Sequence, residues 1–142
     1  MNLALLSTRQ KVNIIEAEMF KQPQLTLDVK HYFCPGIYAR ELFIPAGTLL
    51  TGKIHKHEHL NIMSQGELSV LVGDKIERIK APFTTISSPG IKRIAFAHLD
   101  TVWTTIHHTN VTDIDRIELE LVCDTDEEFK KFIIAQDNKC LS

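Results

Sequence analysis

Apolar residues in this chain change their spacing twice, from a helical rhythm to an extended one and back again. Ser7-Thr8-Arg9-Gln10 has the form of a capping box, in which a serine hydroxyl and a glutamine three residues on satisfy orphan N–H groups. Val12, Ile15 and Met19 follow at helical spacing and Pro23 closes the segment, which predicts a short amphipathic helix outside the main core. From Leu25 the apolar runs shorten. Residues 25–29 and part of 37–44 alternate, and turn residues fall at Pro35-Gly36, Pro45-Ala46-Gly47, Gln65-Gly66, Gly73-Asp74, Ala81-Pro82 and Pro89-Gly90. Short runs recurring at roughly 8–12 residues predict a β-sandwich or barrel. Residues 67–72 and 76–79, joined across Gly73-Asp74-Lys75, predict a hairpin. Residues 101–107 and 114–123 are expected to form the last strands, the second because Ile117, Leu119 and Leu121 alternate with polar neighbours. Thr125 with Glu128 then predicts a helix start, with Phe129, Phe132, Ile133 and Ile134 as its buried stripe. The expected architecture is one all-β domain over residues 1–142 with a short helix at each end.

Composition narrows the partners more than the fold. The chain is 44% apolar and 24% charged with a formal net charge of -2, so no overall charge drives it onto nucleic acid or an anionic membrane. A basic stripe with interleaved aromatics is missing, which argues against nucleic-acid binding. No apolar run approaches the roughly 20 residues that span a bilayer. The apolar start, Met1 to Leu6, lacks a basic flank and a cleavage site, and Cys34, Cys123 and Cys140 form no paired spacing. A cytoplasmic protein is expected, with Cys34 an inert buried thiol. Acidic residues gather between Asp113 and Glu128 while Lys53, Lys56, Lys92 and Arg93 lie near the histidines. That asymmetry predicts either a positive pocket mouth or two solvated faces of opposite sign. Phosphate-cradling glycine loops, nucleophile elbows and paired-cysteine zinc patterns are absent.

Candidate chemistry centres on histidine. Six of the seven histidines lie between residues 55 and 108, and His55, His57 and His59 fall within five residues. A neutral imidazole offers a ring lone pair near pH 7, which suits Zn, Fe and Ni. Residues of one parity on a strand share a face, so the three either converge on one centre or straddle a turn and diverge. His107 is in phase with Trp103 and Thr105, which makes it the inward member of the His107-His108 pair.

At these residues the chain resembles the cupin family. The first cupin motif runs Gly, five residues, His-x-His, three or four residues, Glu, six residues, Gly. Gly47, Lys53, His55, His59 and Gly66 fit its spacing, with Lys53 in a histidine place and His59 in the acid's. A second frame sets His55 and His57 on the His-x-His pair and Asn61 in the acid's place. Pro89-Gly90 followed by Arg93 resembles the second motif, again with the histidine replaced, and His98 lies close enough to supply a ligand if a bulge turns it inward. The likeness covers residues 36–123, leaving 1–23 as a helical extension and 124–142 as a C-terminal helix and tail; small stand-alone cupins of bacteriophages are similar. It implies a jelly-roll β-barrel, and a homodimer formed through outer strands and added helices.

The resemblance further implies a divalent transition metal, Zn, Fe, Mn or Ni, on His55 and His59 with His57 or His98 completing the set. Lys53, Arg93, Asn61, Trp103 and His107 are then expected to line a pocket for a small, anionic molecule. Cations at the places of Lys53 and Arg93 require an anion, a carboxylate such as Glu41 or Glu58, or water. Tyr38, Phe43 and Phe96 either wall the pocket or fill the core. Two functions remain open: a metal-dependent cupin of dioxygenase or isomerase type, and a non-catalytic cupin that binds, sequesters or assembles without metal.

Overall fold

The computed structural model describes residues 5–141, with side chains for residues 5–139. The first four residues of the apolar start and the Cys140 side chain lie outside this description. Helix α1 (Thr8–Met19) opens the chain, and β1 (Asp28–Cys34), β2 (Ile37–Ile44), β3 (Leu49–Thr51), β4 (Ile54–His55) and β5 (His59–Gln65) follow. Next come β6 (Glu67–Val72), β7 (Lys75–Lys80), β8 (Phe83–Ser87), β9 (Ile94–Ala97) and β10 (Thr101–His108). The chain ends in α2 (Ile114–Leu121), β11 (Val122–Cys123) and α3 (Asp126–Leu141).

Pairing is antiparallel throughout and, apart from the consecutive pairs β1–β2 and β6–β7, joins strands that are not neighbours in sequence. One sheet runs β1-β2-β10-β5-β8, a second β3-β9-β6-β7, and β4 pairs with β11. Ile44 and Met63 of the first sheet meet Leu68, Val70, Ile79 and Ala97 of the second in the main core. The expected hairpin forms with Val72 opposite Lys75 across Gly73-Asp74. Gly66 has a φ of 101°, and a Cβ there would stand 2.3 Å from the Thr101 hydroxyl and 2.6 Å from the Asp100 carbonyl, so only glycine fits this turn.

Registers across the five-stranded sheet sort its inner face into rows. Leu42, Trp103, Met63 and Phe83 stand side by side on β2, β10, β5 and β8, and this row belongs to the apolar core. Two residues along each strand, the row becomes Arg40, Thr105, Asn61 and Thr85. One step further it holds Tyr38, His107, His59 and Ser87. Because side chains alternate with period two, these four strands carry the same change from apolar to polar at the same depth. The interior is therefore greasy at one end and hydrophilic at the other.

Three expectations are corrected. Residues 114–121 form a helix, not a strand. Asp113 accepts from the Asp115 N–H at its start, Ile117 and Leu121 are buried, and Leu119, which alternation placed inside, is 75% exposed. Residues 122–123 alone remain extended. The capping contacts at Thr125 form as read, with the Glu128 N–H donating to the threonine hydroxyl, yet Ile133 and Ile134 face outward while Phe129 and Phe132 are half-buried. Cys34 is exposed, at the end of the edge strand β1. No described helix is long and apolar enough to cross a membrane.

Candidate metal centre

His55 ends β4, His59 begins β5 and His107 lies near the end of β10. The β5–β10 ladder sets His59 beside His107, and β4, paired with β11, brings His55 to the same hydrophilic end of the interior; ring centroids are 4.2 Å (His55–His59), 4.6 Å (His59–His107) and 5.3 Å (His55–His107) apart. One ring nitrogen from each lies within 4.8 Å of the other two. His59 and His107 are buried and His55 is half-buried.

All three rings are held neutral. Burial, reinforced by the neighbouring imidazoles and by Arg40 and Arg93, lowers His55 to about 3. Burial likewise lowers His107 to about 4, with His59, His57 and Arg40 adding to it. His59 is lowered too, by burial first, while its bond to the His57 carbonyl works in the other direction. That carbonyl, 3.1 Å away, can only accept, so His59 donates through Nδ1 and keeps the Nε2 lone pair free. His55 Nδ1 is buried with no hydrogen-bond partner. A buried imidazole nitrogen without a partner is costly in either tautomer unless something binds it, and a metal ion taken up on its lone pair satisfies that demand.

Other polar groups surround the trio. The Tyr38 hydroxyl and His31 Nδ1 are hydrogen-bonded at 2.7 Å, and the Tyr38 ring stacks on His107. The Ser87 hydroxyl accepts from Asn61 Nδ2 at 2.7 Å and from Arg93 Nη2 at 2.9 Å. Arg93 is half-buried and makes no ion pair among the described residues. The Thr105 hydroxyl is buried and unpartnered.

Several residues expected at the site lie elsewhere. Lys53 is half exposed on the outside, within 3.5 Å of Glu118 and Asp124, because the acidic segment folds back over it. Lys92 is buried against Glu16 at 2.6 Å, so it adds no free charge to a positive pocket mouth, one of the two arrangements the charge asymmetry allowed. His57 is exposed and meets the edge of Phe132, since residues 56–58 turn between β4 and β5 and break the strand parity. His98 points away from the trio and bonds Ser69 at 2.6 Å; no bulge turns it inward. Trp103 packs with the apolar core, Phe96 is 38% exposed, and Phe43 lies on the outer face. Neither acid proposed as an internal partner is inside: Glu41 faces outward toward Lys30 and Glu58 is exposed. Arg40, Thr105 and Ser87 went unread, because only the long-range registers place them beside the histidines. Two clefts of about 310 and 350 Å³ lie on the surface around Cys34 and around Lys53, apart from this centre.

Comparison with known proteins gives a likeness of fold. No family model and no curated protein matches the chain. Among solved structures, an RmlC-like cupin from Shewanella frigidimarina matches at TM-score 0.51 and 17% identity, over 62% of this chain and 80% of that one. KdgF from a Halomonas species matches at TM-score 0.51 and 13% identity, over 63% and 86%. An acetylacetone dioxygenase from Acinetobacter johnsonii matches at TM-score 0.48 and 15% identity, over 61% of this chain and 65% of that one, just under two thirds of its length. The two-sheet architecture, its non-sequential ladders and the likeness to the RmlC-like cupin and KdgF show that the chain has the cupin jelly-roll fold.

Proposed function

We propose that this protein holds one divalent transition metal on His55, His59 and His107 and takes a small anionic molecule beside it. The observation that carries the reading is the convergence of three neutral imidazoles, one with an orphaned buried nitrogen. An all-imidazole donor set suits Zn, Fe or Ni better than Mn, which favours oxygen ligands. Three protein ligands leave coordination positions open, where a bound metal polarises an oxygen of water or ligand. Around that position the chain's own groups do the binding. Arg93, steadied by Ser87, faces the site as an unpaired half-buried cation and would orient the anionic end. Tyr38 and α2 close one side and keep water from it, since Tyr38, Ile117 and Leu121 form a second buried cluster.

Elemental analysis of protein purified without a metal-affinity tag tests this. Near-stoichiometric transition metal that disappears in a His55→Ala/His59→Ala double variant is the expected result. Metal-free protein carrying a co-purified small molecule would instead support the non-catalytic reading, which the absence of any carboxylate from the described donor set favours.

A further inference from the structure

We infer that α1 is a strap that fixes the backbone of His55 through the turn between β8 and β9, and that its docking sets how tightly the site holds a metal. The inference rests on the metal reading above and concerns the least supported of the three ligands. His59 and His107 belong to strands of seven and eight residues, whereas β4 has two and pairs with the equally short β11. The His55 carbonyl accepts a further hydrogen bond from the Gly90 N–H at 2.9 Å, which ties it to the turn at residues 88–93. Gly90 is in turn gripped from outside. Its carbonyl accepts from Arg9 Nη2 of α1, and a Cβ on it would stand 2.7 Å from the Phe129 ring of α3.

Arg9 is a positioning residue in this arrangement. One arm of its guanidinium, Nη1, pairs with Asp126 at the start of α3 and the other, Nη2, reaches Gly90, a two-pronged bridge that a single ammonium makes less well. Asn13 and Glu16 follow at helical spacing on the same face. Asn13 donates to Asp126, and with Glu16 it accepts from Lys92, whose side chain is 5% exposed. Lys92 directly precedes Arg93, so one helix face grips the turn at Gly90 and again beside the cation of the site. That face is mostly polar. Val12 is buried in it, but Ile15, expected on an apolar stripe, is 39% exposed, and Ile14 and Phe20 are 38% and 66% exposed. A helix of 12 residues is marginal in water by itself, and one docked mainly by hydrogen bonds and ion pairs opens more easily than the sheets. Docked and undocked forms differ in whether Gly90 is held, and hence in whether His55 is preset for a metal. Docking and metal binding must then favour one another by the same factor.

Hydrogen exchange and Zn²⁺ competition titration on the full chain test the strap. In metal-free protein, Arg9→Ala should speed exchange of the Gly90 amide by about fivefold or more, while amides of the β5–β10 ladder keep their wild-type rates. The same variant should weaken Zn²⁺ binding by about fivefold or more, and Arg9→Lys should restore part of the loss. Thr8→Ala, which removes a bond from α1 to Asp74, should change neither. Saturating Zn²⁺ should slow exchange of the α1 amides in the wild type and leave them unchanged in His55→Ala. A Gly90 amide unmoved by Arg9→Ala, or one that quickens only together with the ladder amides, would overturn the strap. Unchanged Zn²⁺ affinity in Arg9→Ala, with Gly90 loosened, would overturn its coupling to the metal. A wild type that binds no Zn²⁺ would overturn the metal reading and that coupling with it, and the Gly90 amide then decides the strap by itself.

Discussion

Burial decides what the three histidines can do. Imidazoles that stay neutral far below their ordinary pKa are ready to bind a metal, but they also make the metal-free protein sensitive to acid. His55 titrates at about 3 and His107 at about 4 in the folded chain, against 6.5 when unfolded. Below pH 6.5 the unfolded chain takes up protons that the folded chain refuses, so stability must fall as pH drops and level off near the folded values. Each imidazole contributes up to about 1.4 kcal/mol per pH unit in that window. Urea unfolding of metal-free protein at pH 7, 6 and 5 should show this loss, and His55→Ala should flatten it. A profile equally steep without His55 would contradict the assignment.

At the scale of elements, α2 is the piece that shuts the site. Ile117 and Leu121, each 3% exposed, press on Tyr38, which in turn lies against His107. Ile117→Ala should cost about 2–4 kcal/mol, read from the urea midpoint, and should loosen metal binding without removing a ligand. Unchanged metal affinity would mean that α2 packs without positioning anything. This helix was also the hardest element to read. Ile117 and Leu121 satisfy both an alternating and a helical spacing, and only Ile114 and the Asp113 cap break the tie. The β6–β7 hairpin was legible because alternation and a Gly-Asp turn agree. His55 and His59 emerged from motif spacing, whereas His107 became their partner only through a ladder that links residues more than forty positions apart. Of the two arrangements the spacing left open for His57, the diverging one holds, since the chain turns between the two strands.

For the molecule as a whole, the outer face of the five-stranded sheet bears on assembly. Tyr32, Ala39, Ile106, Leu60 and Ile86 stand in register across all five strands, and Tyr32, Leu60 and Ile86 are 51%, 42% and 61% exposed. An unbroken apolar row over a sheet face is unusual for a monomer. Five strands by six residues cover about 500 Å², approaching the roughly 800 Å² per partner of a standard interface once neighbouring residues are included. The homodimer expected from the sequence would pair through this row. Light scattering should then give twice the chain mass, and Leu60→Lys with Ile86→Lys should halve it; a truncation of residues 1–23 that alone abolishes the dimer would shift the interface to α1. Metal binding itself should not depend on assembly, because all three ligands come from one chain. The most direct test is a competition titration of metal-free protein with Zn²⁺ against a chelator of known affinity. One ion should bind per chain; His55→Ala, His59→Ala and His107→Ala should each weaken it by about tenfold or more, and His57→Ala and His98→Ala should leave it unchanged. Stoichiometric binding that persists without His55 and His107, or that is lost with His57, would contradict the centre described.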